Sequence, residues 1–532
     1  MTIKGPFYLA ITVSLLTFTS SHSSYLNAED AQIYTWHVNN DRNGLNNNEQ
    51  LLSFSTVHYS TFGKLGFFAT DGIVDAEPLH VPGLTIGNQI HNVLYVATEH
   101  DTVYAFDAQS GATLWKSSLL KVGESPSDDH GCSQITPEIG VTSTPVIDPS
   151  KGPHGAIYVV SMSKDGTGHY HQRISALDLV TGTQLFNGPT EITARYIGTG
   201  DNSSSGQVTF DPGQYAERAA LLEWNGAIYT SWTSHCDRRP YTGWILGYNA
   251  TTLQQSAVLD VTPNGNEGSV WMSGAGLAAN GLYMYFLDAN GTFDTTLDAG
   301  GMPIHQDFGN SLIALSQDGS GIRVFDYYAT DNTVQQSDAD IDLGSGGVLL
   351  LPSLTDNAGN LHFLGVGAGK DHNIYLFNRI NLGKYHPNGG FIYQVLSNAL
   401  PNGAFSAPAY FDNKIYYGGV NDTLKAFSIS NATLVDTPAS RSAATFVYPG
   451  STPSISSNGN ANGIVWAISH TTPFILYAFN AEDLSDKYYD SGQAGSRDLF
   501  GAAAHFATPT IANGRVYVGT PTGVAVFGIL GK

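Results

Sequence analysis

The stretch YAFDAQSGATLWK, residues 104–116, reads as the end of one strand, a turn and the start of the next. Asp107 offers a carboxylate to the turn's own amides, and Gly111 offers the positive φ that a tight turn needs. Trp115 then falls on the outgoing strand, where its large face is free to pack against a neighbouring element. Two strands alone cannot bury such a face. The unit therefore predicts neighbours of its own kind.

The rest of the chain supplies them. A first strand, a turn and a second strand, tyrosine-bearing in most copies, recur eight times, starting at Ala76, Ser143, Arg218, Gly274, Leu351, Ser406, Ser451 and Ala507. Each copy runs into a third strand of one type: TVYAFD, RISALD, WILGYN, SLIALS, NIYLFN, TLKAFS, ILYAFN and GVAVFG. The starts lie 45 to 77 residues apart, so the loops vary while the strands persist. Units of three or four short strands at such a period are propeller blades. The expected fold is all-β: one eight-bladed β-propeller of four-stranded antiparallel blades over residues 29–532. The eighth unit stops near the C-terminus without a fourth strand. QIYTWHV, residues 32–38, is strand-like and unassigned, and is expected to close the ring as the outer strand of the last blade. That would remove a free edge. ALDLVTGTQLF repeats the opening pattern with Asp178, Gly182 and Phe186 in the Asp, Gly and Trp places.

Only 13% of the 532 residues are charged and the formal net charge is −22, so no basic stripe is present to neutralise phosphates and nucleic acid is excluded as a partner. With 28 Tyr and 25 Phe the composition is that of a β-rich folded chain. At the N-terminus, Lys4 precedes the apolar run GPFYLAITVSLLTF and the small-residue region SSHSSYLNA. This reads as a signal peptide over residues 1–28, cleaved near Ala28, with an uncleaved anchor as the alternative. No transmembrane segment is expected in the mature chain, which is placed outside the cytoplasm, secreted or periplasmic. The two cysteines, Cys132 and Cys236, then read as a disulfide.

Ala105, Asp107, Gly111 and Trp115 make a complete A-x-D-x-x-x-G-x-x-x-W, which resembles the tryptophan-docking motif of the pyrroloquinoline quinone (PQQ) repeat. With eight such units the chain resembles the quinoprotein alcohol dehydrogenase superfamily, and TWHVNNDRNGLNNNEQ resembles that family's N-terminal stretch. VTSTPVIDP, SHCDRRPYTGWILGYNATTLQQ, NGNEGSVWMSGAG, DLGSGGVLLLP and GAGKDHNIYL resemble a group of secreted bacterial PQQ-like repeat proteins. The resemblance implies PQQ and calcium at one mouth of the ring. Asn290, in LDANGTF, stands where the family's T-G-N-P asparagine binds calcium, and DFGNSLIAL resembles the family's G-D-N-x-x-x-S-I-V-A-L. Asp294, in the same oxygen-rich loop, is the second metal candidate. The family's adjacent cysteines are absent, however. SKDGTGHYHQ lacks the calcium-binding glutamate, and LAANGLY stands where the floor tryptophan is expected. These departures point to a degenerate quinone site, and no catalytic residue is assigned.

With the strands of each blade lettered A to D outward from the axis, the B–C and D–A loops share one face. Glu99, His100 and Asp101 fall in the first B–C loop, and Glu138 enters blade two beside Cys132. His235, Asp237, Arg238 and Arg239 surround Cys236 in the third B–C loop. Glu267 and Trp271 enter blade four, and Lys370 and Asp371 lie in blade five. His470, Arg497 and His505 fall in later loops of that face. The expected role is binding at this face, by a monomer, of a small molecule, a glycan or an extracytoplasmic protein. The alternatives are a PQQ- and calcium-dependent dehydrogenase of an alcohol or sugar, and an envelope assembly scaffold.

Overall fold

The computed structural model describes Met1, residues 31–319 and residues 321–531. The signal-peptide reading lies outside the described residues. Hydrogen-bonded pairing of the described residues gives eight blade sheets, five of four antiparallel strands, two of five strands and one of six, the extra strands being short additions to the same plan. The first comprises Leu79–Ile86, Gln89–Thr98, Thr102–Asp107 and Thr113–Ser118. The inner strands of the other seven are Val146–Asp148, Leu222–Trp224, Ala278–Asn280, Val348–Leu350, Ala409–Phe411, Ser454–Asn458 and Thr510–Ala512. All eight TVYAFD-like segments form third strands. The all-β propeller expected from the repeats is therefore the fold of the chain. Second and third strands are buried along most of their length because both faces are covered by neighbouring blades. The outer strand of blade one alternates between exposed and half-buried residues.

The opening motif works as its chemistry requires. Asp107 Oδ1 accepts from the amides of Gln109 and Ser110, and Gly111 has φ +75°. Asp178 repeats the turn, accepting from Val180 and Thr181. Trp115 pairs with Ala105 across the blade and donates its indole N–H to the Leu179 carbonyl of blade two, 2.9 Å away. It lies against Gly182, where an added Cβ would sit 2.6 Å from Trp115 Cε3. Gly111 is covered in the same way by Phe68 from blade eight. Phe186 lies parallel to Tyr158 with ring centroids 6.5 Å apart.

The recurring tyrosine has its own reason. Tyr95 donates its hydroxyl proton to Leu179 O, Tyr158 to Ala250 O, Tyr285 to Arg379 O, Tyr416 to Ala481 O and Tyr517 to Ala108 O. In each case the acceptor is the residue just after the third strand of the next blade. The last of these bonds joins blade eight to blade one. Each is expected to contribute about 1 kcal/mol.

Ring closure differs from expectation in one respect. The outer strand of blade eight is Phe62–Ala69, antiparallel to Gly523–Ile529, and not residues 32–38. Residues 31–46 instead line the axis and touch the blades in turn. Ile33 pairs with His80 of blade one, and Tyr34 O accepts from Ile147 N of blade two. Arg42 donates to Leu221 O at the entry to blade three and to Leu277 O at the entry to blade four. The carbonyls of Asp41, Asn43 and Gly44 accept from Leu350, Tyr410 and Ile455 of blades five, six and seven. Asn46 Nδ2 donates to Ile511 O of blade eight. A strand at the outer rim could not reach eight inner strands; a short axial coil with polar side chains can. Gly44 turns this coil at φ +65°, where any Cβ would lie 2.2 Å from His37 Nε2.

Gly182→Ala is expected to lower the melting temperature by several degrees, from a cost of about 1–3 kcal/mol in strain and displacement of Trp115. Gly83→Ala is the control. Its φ of +67° is the same as that of Gly182, but nothing lies within 4 Å of the added Cβ. It should cost about 1 kcal/mol. Equal losses in the two variants would show that the tryptophan contact adds nothing.

Candidate ligand-binding site at the axial mouth

The end of the ring opposite the A–B turns is formed by the D–A and B–C loops. Ser234 leaves a short strand paired with Tyr215–Ala216 and passes into the turn His235–Asp237. There Cys236 is bonded to Cys132, as the cysteine pair predicts. The bridge forms one wall of a cavity of about 130 Å³, whose other walls include Trp271, Tyr448, His505, Phe506, Arg218 and Asp237. Trp271 stands edge-on to Phe405 and Phe506, each at 6.0 Å, and Phe405 continues to Tyr448 at 5.2 Å. Loops entering blades four, six, seven and eight thus contribute to one aromatic collar. Arg218 at the mouth stands three positions before Leu221, whose carbonyl accepts from Arg42 of the axial coil.

Part of this wall is held in strained backbone. Cys236, Asp237, Met272, Ser273 and Phe506 all have φ between 42° and 65°, and none is glycine. Such conformations cost on the order of 1–3 kcal/mol each and persist only where surrounding structure enforces them.

The charged groups are largely satisfied from within. Arg218 donates to His505 O at 3.0 Å, lies 3.9 Å from Asp75 Oδ1 and stacks 5.0 Å from the Phe506 ring centroid. Lys370 is held by Asp340 and Asp342 and lies 5.6 Å from the Phe405 centroid. Arg238 donates to His130 O and Gly131 O, and Arg239 grips Asp201 with two bonds of 2.8 and 3.0 Å. Burial pushes the Asp237 carboxyl up, against the pull of Lys370. Beneath the mouth, burial raises Asp75 and Glu99, which share a hydrogen bond, and holds Glu217 well above the usual carboxylate range. Burial, reinforced by Arg218, takes His505 down to about 4. His235 falls to about 3 by burial beside His130. Both rings are neutral at physiological pH.

Of the residues singled out from the sequence, Cys132, Cys236, His235, Asp237, Trp271 and His505 line this cavity. Glu267, Arg239 and Asn290 line an adjoining acidic pocket together with Asp237, Asp338 and Asp340. Others serve the scaffold. Glu99 is buried and accepts from Gly140 N and Thr142 Oγ1. Asp101 is buried and has φ +52°. His100 pairs with Glu138 at 2.8 Å on the rim. Asp371 is fixed by Tyr375 and Asn373. Arg497 binds Asp498 and Tyr59 O, away from the cavity lining. Asn290 donates to Asp340 at 2.8 Å, while its buried Oδ1 has no hydrogen-bond partner. Asp294 instead accepts from Thr296 N and His305 N within its own loop. Among the described residues no group of three or more His, Cys, Asp or Glu side chains is placed to hold a metal ion.

Arg218, Tyr448 and Phe506 were not singled out. The repeat register could have found two of them. Arg218 is itself the first residue of the third copy, where other copies carry Ala, Ser, Gly or Leu. Phe405 and Phe506 immediately precede the copies at Ser406 and Ala507. That position lies four residues before the inner strands Ala409–Phe411 and Thr510–Ala512, in the loops that enter these blades.

Fold and mouth define an all-β propeller with a loop-lined axial mouth. No protein-family model matches the chain, and no curated protein does. Among solved structures it is similar to quinohemoprotein alcohol dehydrogenase from Comamonas testosteroni, at 14% identity and TM-score 0.59, over 94% of this chain and 81% of that one. Quinohemoprotein alcohol dehydrogenase ADHIIG from Pseudomonas putida HK5 gives 14% and 0.62 over the same shares. A europium-containing methanol dehydrogenase gives 12% and 0.60, over 94% and 98%. At these identities the likeness is one of fold. Among the described residues no helix is long and apolar enough to cross a membrane.

Proposed function

We propose that residues 29–532 form a single exported, monomeric binding propeller that takes a small molecule in the axial mouth. The observation that carries this reading is the cavity beside Cys132–Cys236, where an aromatic collar and strained non-glycine residues converge. Concave, mostly apolar pockets with a few polar groups are the usual form of small-molecule sites. The disulfide supports placement outside the cytoplasm, secreted or periplasmic.

The second reading is a PQQ- and calcium-dependent dehydrogenase, favoured by the shared fold and by the unpartnered Oδ1 of Asn290. The donor set suits that pair poorly. Asp294 is engaged elsewhere, and the cations that would meet the carboxylates of PQQ already have internal acceptors. Titration of the mature protein with PQQ, with and without calcium, separates the readings. Absorbance would follow binding, and dye reduction with alcohols and sugars would follow turnover. The binding reading predicts no calcium-dependent saturation at tens of micromolar PQQ and no dye reduction. Saturation with turnover would replace it by the dehydrogenase.

A further inference from the structure

We infer that the ligand of the axial mouth is a neutral saccharide, bound with one face of its ring against Trp271 and its hydroxyls toward Asp237 and the Arg218–His505 edge. The inference rests on the small-molecule reading above and adds the ligand's chemical class.

Charge decides the class. A polyanion needs cations with donors to spare. Lys370 is neutralised twice, Arg239 binds Asp201 through two bonds, and Arg238 is committed to two carbonyls. Arg218 is shared among Asp75, the His505 carbonyl and the Phe506 ring. Breaking these bonds to serve a ligand would leave buried carboxylates unpaired, which is costly. An organic cation meets the opposite obstacle. The faces of Phe506 and Phe405, which would attract it, already carry Arg218 and Lys370. Two positive charges flank the collar, and His505 and His235 add no negative charge. An anion would therefore enter without a free counter-group, and a cation would meet Asp237, whose carboxyl burial already pushes toward its neutral form.

A neutral ligand with one apolar face and a polar edge meets neither penalty. Trp271 is half-buried, so part of its ring remains available to such a face. Asp237, an acceptor when ionised, stands beside it in the cavity lining, and Gln134 offers both a donor and an acceptor. The 130 Å³ available is close to the roughly 150 Å³ of a cavity that holds one benzene, so it takes one six-membered ring, with its outer hydroxyls toward the open mouth.

The test is calorimetric titration of the full mature chain with neutral hexoses and their disaccharides. The 2-amino and 6-carboxyl analogues of the same sugars are run in parallel. At least one neutral sugar is expected to bind, with both charged analogues at least tenfold weaker. Trp271→Ala should weaken it tenfold or more, and Trp271→Phe should restore most of the affinity. Tyr448→Ala, at a half-exposed ring of the same wall, is the second probe should Trp271→Ala fail to fold. It is expected to weaken binding severalfold. A charged analogue that binds better than its neutral parent, with the same dependence on these rings, would overturn the saccharide assignment and leave the pocket standing. No binding of any sugar at 10 mM, together with fragments or cofactors that bind independently of Trp271 and Tyr448, would overturn both.

Discussion

Arg42→Ala is expected to abolish recovery of folded protein, or to lower the melting temperature by well over ten degrees. Arg42 is fully buried and donates to Thr35 Oγ1, Trp36 O, Leu221 O and Leu277 O. Truncation would strand these acceptors where no solvent reaches. It would also remove the cation near Glu77, whose carboxyl group accepts from His37 N and Thr510 Oγ1. Each orphaned acceptor costs about 1–3 kcal/mol, and four are orphaned at once. Arg42→Lys keeps the charge but not the fork of donors, and should recover part of the loss. Thermal unfolding followed by near-ultraviolet circular dichroism checks the series. A melting temperature within two degrees of the parent for Arg42→Ala would show that the axial coil does not hold the ring.

The second large effect is on pH. Burial pushes Glu77 up to about 8, Asp260 to about 7, Asp307 to about 6 and Asp342 to about 6. In the unfolded chain such groups titrate near 4. Between pH 4 and these raised values the folded state binds more protons than the unfolded state, so stability falls as pH rises through 6 to 8. For each group, every pH unit in that window contributes about 1.4 kcal/mol. At the acidic end the sign reverses. Against the push of its burial, hydrogen bonds from Arg173 hold Glu124 at about 2, and that contribution is lost as pH drops below 4. Stability should therefore peak near pH 4, with a melting temperature at pH 8 lower by several degrees than at pH 5. A melting temperature that rises from pH 5 to pH 8 would contradict the protonated state of these buried carboxyls.

What the chain disclosed before its structure followed from local periodicity. Strand–turn–strand copies recur in sequence, so the blades, the Asp107 turn and the Trp115 contact could all be read from residues a few positions apart. The axial coil could not be read in this way. Its partners Leu221, Leu277, Leu350, Tyr410 and Ile455 are spread across more than two hundred residues, and QIYTWHV carries the composition of a strand. The mouth was partly legible for a similar reason. Loop residues near Cys236 could be assigned to one face, but a face does not say which side chains turn inward. Glu99 and Asp371 turned into the scaffold, whereas Phe405 and Phe506 converge from blades six and eight on a tryptophan from blade four.

The most direct test of the axial mouth as the ligand site is a fragment soak of the crystallised mature chain with some hundreds of small neutral and charged compounds. The fragments are expected to cluster beside Trp271 and the Cys132–Cys236 bridge, with few elsewhere. A cluster instead in the outer pocket between Tyr196 and Met302, with the axial mouth empty at every concentration, would contradict the account.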